Sequence, residues 1–349
     1  MVSIQEMSHR AVLVIPRLRI QNANAISSPM TWGFPSITAF TGLMTALERR
    51  LGPEAGVQLM GVGVVCHAFE AQVTTEGYTR AFHLTRNPVL QDGSTAAIVE
   101  EGRVHLEVSL VFQVQLADAH RGEPEREALA SRVAQELAGM RVAGGSVMPP
   151  LPGALRSARR PILWMLPDDD QFDAQRKLMR RLARGLMPGF ALVSRDDLLA
   201  QRLQELRQAN PEASVWDAWL DWCRLTSRPA AAEAPMAADG QQPSPDGEGT
   251  AVEWMTERRP GWIVPIPVGY APLSPLQPAG SVRGARDMVT PFRFVETVWS
   301  IGQWISPHRL RRLGDFIWQA GAQGDPDQPD APSLYRCFIE QPADSALTL

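Results

Sequence analysis

Arg103-Val104-His105-Leu106-Glu107-Val108-Ser109-Leu110-Val111-Phe112-Gln113-Val114-Gln115-Leu116 is the most regular stretch of the chain. Val104, Leu106, Val108, Leu110, Phe112, Val114 and Leu116 alternate with Arg103, His105, Glu107, Ser109, Val111, Gln113 and Gln115. Neighbouring side chains of a strand point to opposite faces, so this period of two predicts a long strand with one face buried.

Working outward, residues 11–20 read as a second strand carrying Val12, Leu13, Val14 and Ile15. Ser36 can cap a helix whose Phe40, Leu43, Met44, Leu47 and Leu51 keep helical spacing, and Gly52-Pro53 stops it. Residues 57–75 are rich in β-formers, with Gly61 and Gly63 permitting close packing or a bulge. Downstream, Gly122-Glu123-Pro124 opens a second helix with Leu129, Val133, Leu137 and Met140 on one face, and residues 141–147 return as a last strand. The order βαββαβ is the split-βαβ, ferredoxin-like (RRM-type) motif of an α+β fold. Between its second and third strands, residues 77–102 exceed what a hairpin needs and carry Arg80, His83, Arg86, Asn87 and the turn signal Asp92-Gly93. They predict either a projecting hairpin near 80–100 or a plain surface loop.

The chain then divides into residues 1–150 as this core, 151–228 as a mainly helical insertion, 229–252 as a flexible linker, and 253–349 as a C-terminal lobe packing on the core. In the insertion, Asp168, Asp169 and Asp170 precede a helix ending in Arg180, Arg181 and Arg184, which suits its dipole. Asn210-Pro211 breaks the pattern, and Trp216, Trp219, Leu220 and Trp222 form an apolar stripe. The linker is rich in Pro, Ala, Gly and Ser. The lobe is extended and Pro-rich, with an amphipathic segment at 292–305.

Composition, at 44% apolar and 21% charged residues, is that of a globular protein. No apolar run reaches membrane-spanning length and the first ten residues lack a signal-peptide pattern, so the expectation is a cytoplasmic chain. Cys66, Cys223 and Cys337 read as three buried thiols in a reducing compartment. The net charge of −4 argues against binding nucleic acid through bulk charge. Charge is segregated, however: residues 151–190 hold eight basic against four acidic side chains, and 281–312 hold six arginines against Asp287 and Glu296. Such segregation suits a basic groove on a neutral particle.

Enzymatic signals are weak. Asp168 to Asp170 read as helix-start acids before a metal cluster. Cys66 and His67, beside Glu70, point to opposite faces of a strand and cannot readily form a nucleophile–base pair. The six histidines lack zinc spacing, and no P-loop, dinucleotide fingerprint or GxSxG elbow is present. The aromatic pattern by which ferredoxin-like sheets stack RNA bases is missing from residues 103–110, so any RNA must meet loops and arginines. Three places offer this. One is the amide and hydroxyl row Gln21, Asn22, Asn24, Ser27, Ser28, which reads equally as a hydrogen-bonded turn. The second is Gly144-Gly145-Ser146, with amides for a phosphate or a plain turn. The third is Arg283, Arg286, Arg293, His308, Arg309, Arg311 and Arg312, interleaved with Phe292, Phe294, Trp299 and Trp304 that also suit a core.

The stretch Pro16-Arg17-Leu18-Arg19-Ile20-Gln21-Asn22-Ala23-Asn24-Ala25-Ile26-Ser27-Ser28-Pro29, running into Thr31-Trp32-Gly33-Phe34-Pro35, resembles the second Csy subunit, the handle-binding member of the type I-F CRISPR surveillance (Cascade-type) complex. Gly144-Gly145 and residues 280–287, 291–296 and 304–309 carry the same resemblance, which spans most of the chain. It implies a RAMP-superfamily subunit that is not a nuclease and needs no cofactor. Such a subunit pairs with the large Csy subunit, abuts the first backbone subunit, and holds the 5′ handle of CRISPR RNA; contact with target DNA near the protospacer-adjacent motif stays open. Residues 80–96 would be a thumb that kinks the RNA. The implied RNA contacts are Arg17, Arg19, Gln21, Asn22, Asn24, Ser27 and Trp32; Arg80, His83, Arg86 and Asn87; Arg141, Gly144, Gly145 and Arg156; and Arg283, Arg286, Arg293, His308 and Arg309. Asn24 and its neighbours would read bases, while Arg17, Arg19, Arg283 and Arg286 would hold phosphates. Two rivals remain: a RAMP-type, metal-independent endoribonuclease using His67, His83 or His308, and a scaffold without RNA contact.

Overall fold

The computed structural model describes residues 7–86, 89–90, 92–150, 160–225, 227–229, 254–256, 259, 261–285, 287–323 and 334–340. Asn87, Arg156, Arg286 and nearly all of the expected linker lie outside these residues. The chain opens with β1 (Met7–Asn24), the small hairpin β2 (Ile26–Ser28) and β3 (Thr31–Trp32), and α1 (Ile37–Leu51). Next come β4 (Val57–Ala71) and two short hairpins, β5 (Val73–Glu76) with β6 (Thr79–Phe82) and β7 (Leu84–Arg86) with β8 (Ile98–Glu100). The alternating stretch is β9 (Arg103–Ala117), followed by α2 (Glu123–Ala138), β10 (Arg141–Val142) and β11 (Gly145–Met148).

All seven alternating apolar residues of β9, from Val104 to Leu116, are buried, and they pack with Phe40, Leu47 and Leu51 of α1 and Val133 and Leu137 of α2. Val111, on the other face, is buried too. It joins a second core with Val12, Val14 and Val65 beneath α3 (Phe172–Gly185), which brings Met179 and Leu182. The middle of β9 is therefore covered on both faces. Its solvent-side polar residues gather toward the ends.

Strands β11, β1, β9 and β4 are neighbours in that order, all antiparallel. Residues 141–147, expected as one returning strand, instead form the β10–β11 hairpin beside β1. The nominal insertion is not only helical: β12 (Ile162–Met165) pairs with the first half of β1, and β13 (Phe190–Ser194) extends the sheet from β4. Helices α4 (Asp196–Ala209) and α5 (Val215–Cys223) follow, the latter started by a Ser214–Asp217 capping box. Described pieces β14 (Ser227–Pro229) and β15 (Trp254–Thr256) pair with each other.

In the last part, β16 (Trp262–Pro272), β17 (Val295–Ile305), β18 (Gln319–Gln323) and β19 (Leu334–Phe338) carry the sheet on from β13 in the order β17, β16, β19, β18. The pairing then returns to β4: Val62 and Trp318 exchange backbone hydrogen bonds of 2.9 and 3.0 Å. Glycine makes this closure possible. A Cβ on Gly61 would sit 2.5 Å from Ile317 Cγ2, and one on Gly63 would sit 2.4 Å from Phe316 Cε2.

Two expectations are corrected. Asp168 to Asp170 do not cap a helix, because α3 starts at Phe172 behind Gln171. The Asp168 backbone carbonyl accepts from Gln171 N–H and Gln175 Nε2, and Asp169 pairs with Arg10 at 2.8 Å. The three thiols are not alike: Cys337 is buried, Cys66 half-buried and Cys223 exposed. Burial pushes the Cys66 thiol up to about 12 and Cys337 up to about 11, so neither is a nucleophile at neutral pH.

Candidate nucleic-acid interface

Residues 21–24, read from sequence as a loop, belong to β1, whose register with β9 slips once near its start, between Met7 and His9, and twice more on the way to Asn24. The later slips lie between Ile15 and Leu18 and between Ile20 and Ala23. Each of these two bulges holds one non-glycine residue at positive φ, Arg17 at 54° and Asn22 at 57°. A bulge takes backbone N–H groups off the ladder. Here a β9 side chain replaces the lost acceptor: Arg17 N–H donates to Ser109 Oγ at 3.1 Å, and Asn22 N–H donates to His105 Nδ1 at 3.1 Å.

The two bulges do different things with their side chains. At the first, the half-buried Arg17 guanidinium pairs with Glu107 at 3.0 Å and donates to the Met187 and Pro188 carbonyls. Arg19 donates to Pro149 O at 3.2 Å. Both arginines are engaged by the protein itself. At the second, Gln21 and Asn22 are exposed. Gln21 stands opposite Ser146, and Ser146 stands opposite Arg141, so three exposed polar side chains form one row across β1, β11 and β10.

Several chain segments converge at this end of the sheet. Asn24 N–H donates to Ala143 O, and Ala25 N–H donates to Gly102 O, at 2.8 and 2.9 Å. Gly145 is buried, with Ala23 N 2.7 Å from where its Cβ would lie, so it serves close packing; Gly144 is exposed at φ 77°. The Asn24 amide donates to Ile26 O and accepts from Ile26 N–H, which fixes the β1–β2 corner. Ser27 Oγ accepts from Ser36 N–H, and buried Ser28 accepts from Trp299 Nε1 at 2.9 Å. Trp32 is 52% exposed and meets Phe82 edge-on, with ring centroids 5.9 Å apart. Phe82 lies in the β5–β6 hairpin, so the excursion carrying exposed Arg80, His83 and Arg86 rises beside Trp32.

The second basic region is split. The β16–β17 hairpin is stitched to the 28–38 segment through Trp299–Ser28 and Ser36–Pro267, and its loop, residues 273–294, carries exposed Arg283 and half-buried Arg293. Buried Arg293 Nε has no hydrogen-bond partner among the described residues. His308 and Arg309 follow the opposite end of β17, about 33 Å away at 3.3 Å per residue. Among the described residues, Arg283 and Arg293 therefore stand at one end of β17 and His308 and Arg309 at the other, and the four do not share a single cradle. The aromatics of this region fill contacts: Trp299 packs with Trp216 and Trp219, and Trp304 with Phe34.

The sequence model of the family described as CRISPR-associated protein (Cas_Csy2) matches residues 13–337. The CRISPR-associated protein Csy2 of Pseudomonas aeruginosa (strain UCBPP-PA14) is 48% identical over 317 residues, covering 90% of this chain and 93% of that protein. The chain belongs to the Csy2 family. It is a CRISPR-associated Csy protein of the type I-F class, and its setting is antiviral defence. The region matched to Csy2 includes the β1 bulges at Arg17 and Asn22, the β10–β11 hairpin and both ends of β17. Within this Csy2-family chain, sequence reading missed Ser109 and His105. They looked like ordinary polar positions of an alternating strand, and only the bulges opposite them reveal their use. Among the described residues, no group of three or more His, Cys, Asp or Glu side chains is placed to hold a metal ion, and no helix is long and apolar enough to cross a membrane.

Proposed function

We propose that this Csy2-family chain is a non-catalytic subunit of the Csy complex, holding the 5′ handle of CRISPR RNA beside the large Csy subunit and the first backbone subunit. The observation that carries this reading is the exposed row Gln21–Ser146–Arg141, with Asn22 and Trp32, gathered where the 73–100 hairpins rise from the sheet. Amide and hydroxyl groups suit the edges of splayed bases, Trp32 offers a stacking face, and Arg141, Arg80 and Arg283 suit phosphates. The strand order β11, β1, β9, β4, with a helix after the first and third strands in sequence, supports a ferredoxin-like RAMP core.

A non-catalytic role is supported by the histidines. His67 has both ring nitrogens tied, to Pro188 O at 2.6 Å and Ser109 Oγ at 2.7 Å, and Ser109 has no exposed surface. His308 Nδ1 is bonded to Ser306 Oγ. His83 is exposed, with no hydrogen bond or ion pair among the described residues. Co-expression with the other Csy subunits and sequencing of the bound RNA tests the reading. Wild type retains transcripts sharing one 5′ handle, whereas a Trp32→Ala, Arg141→Gln variant loses that shared end. Handle retention unaffected by the double change, or metal-free cleavage of repeat RNA by the chain alone, contradicts it.

A further inference from the structure

From position 176 to 184 of α3, every exposed residue is cationic: Arg176, Lys177, Arg180, Arg181 and Arg184. Lys177 is the chain's one lysine. None of the five forms an ion pair with a carboxylate among the described residues; Arg181 stacks over Trp164 at 4.3 Å, and Arg184 Nε donates to Arg180 O. The helix C-terminus favours cations, but only within its last turn. Three like-charge pairs at i,i+4 spacing (176–180, 177–181 and 180–184) each cost the isolated helix a few tenths of a kcal/mol. Folding alone therefore does not account for this face. The segment 307–309 packs against α3, and Arg309 and Arg311, both exposed, extend the basic band beyond it.

We propose that this face of α3 is a second nucleic-acid surface, which tracks the phosphates of duplex DNA without reading sequence. Arg176, Arg180 and Arg184 stand on one ridge at about 6 Å intervals, so each can meet a separate phosphate. Between Arg176 and Arg184 no aromatic is exposed; exposed Phe172, one turn before Arg176, is a single ring at the end of the ridge, where a single-strand surface needs a row of them for stacking bases. Phe172 stands at the end of the ridge and no apolar side chain is exposed between the cations, where a protein partner's central anchor would dock. A duplex hides its bases and presents phosphates, which matches a ridge of three successive arginines. None of the five α3 cations belongs to the proposed handle site, so the two assignments stand or fall separately.

The test uses the Csy complex containing either the wild-type chain or the Arg176→Gln, Arg180→Gln, Arg184→Gln variant, with a labelled random-sequence DNA duplex of about 20 base pairs, two helical turns. Losing three phosphate contacts at about 0.9 each should flatten the slope of log K against log salt by about 2.7 and weaken binding tenfold or more. The variant should keep its co-purified RNA and melt at or above the wild-type temperature, because like-charge repulsion is relieved. An unchanged slope and affinity overturns the proposal. So does an equal loss on single-stranded RNA of the same length, or loss of an acidic protein partner with duplex binding intact. Absence of handle RNA from the wild-type complex would count against the handle assignment alone.

Discussion

The Ser109 hydroxyl lies 2.7 Å from Nε2 of His67, and this contact ties together bulges on the two strands that flank β9. The β4 register slips between Cys66 and Ala68, so His67 is the extra residue of its bulge, just as Arg17 belongs to the bulge in β1. One assignment of protons satisfies every group. Arg17 N–H donates to Ser109 Oγ, the Ser109 hydroxyl donates to Nε2 of neutral His67, and His67 Nδ1–H donates to Pro188 O. The relay anchors the loop before β13 to the centre of the sheet.

Ser109→Ala leaves the Arg17 N–H and His67 Nε2 without partners in a buried setting. The expected loss is about 1–3 kcal/mol, read from the midpoint of chemical denaturation. A midpoint equal to wild type contradicts the relay.

Burial holds the His67 pKa below its ordinary value, with Arg17 adding to the effect and the Pro188 carbonyl opposing it. Above about pH 6.5 the ring is neutral in both folded and unfolded chains, and the full contribution is present. As pH falls toward the depressed folded pKa, the unfolded chain binds the proton first, so stability declines. Denaturation midpoints between about pH 7.5 and 5 should fall for wild type and fall less for His67→Gln. Equal pH dependence in the two would show that His67 is not the group responsible.

Gly145→Ala places a methyl group 2.7 Å from the Ala23 backbone nitrogen and from Ile20 Cγ2. Because the nearest atom is backbone, the β10–β11 hairpin must move away from β1, costing about 1–3 kcal/mol. Handle binding should weaken with it, since the hairpin carries Arg141 and Ser146. Calorimetry and RNA retention on the same variant check both. Gly144→Ala has open space around it and should act only through its positive φ.

Trp299→Phe preserves an aromatic ring near Trp216 and Trp219 but removes the indole N–H bonded to buried Ser28. A loss of about 1 kcal/mol is expected, together with faster amide exchange in residues 26–36. Unchanged exchange there would mean that the hairpin does not secure the segment.

The legible parts of the fold were those with local periodicity. β9 alternates strictly, and α1 and α2 keep helical spacing between recognisable starts and stops, so their ends fall close to where the pattern changes. β13 was not legible, because Phe190-Ala191-Leu192-Val193-Ser194 is a short apolar run that periodicity cannot separate from a helix. The amide row was visible as a candidate interface, but its conformation depends on Ser109 and His105, more than eighty residues away. Sequence proximity also misled. Arg293 and His308 look like one basic cluster, yet β17 separates them as a rigid spacer. Arg17 reads as a phosphate contact until Glu107, ninety residues along the chain, is found beside it.

Ultraviolet crosslinking of the Csy complex, followed by mass spectrometry of the RNA-bearing peptides, tests the handle assignment most directly. Handle nucleotides should attach to peptides containing Gln21 to Trp32 and Arg141 to Ser146. Adducts confined to other subunits, or to the α3 face of this chain, would contradict it.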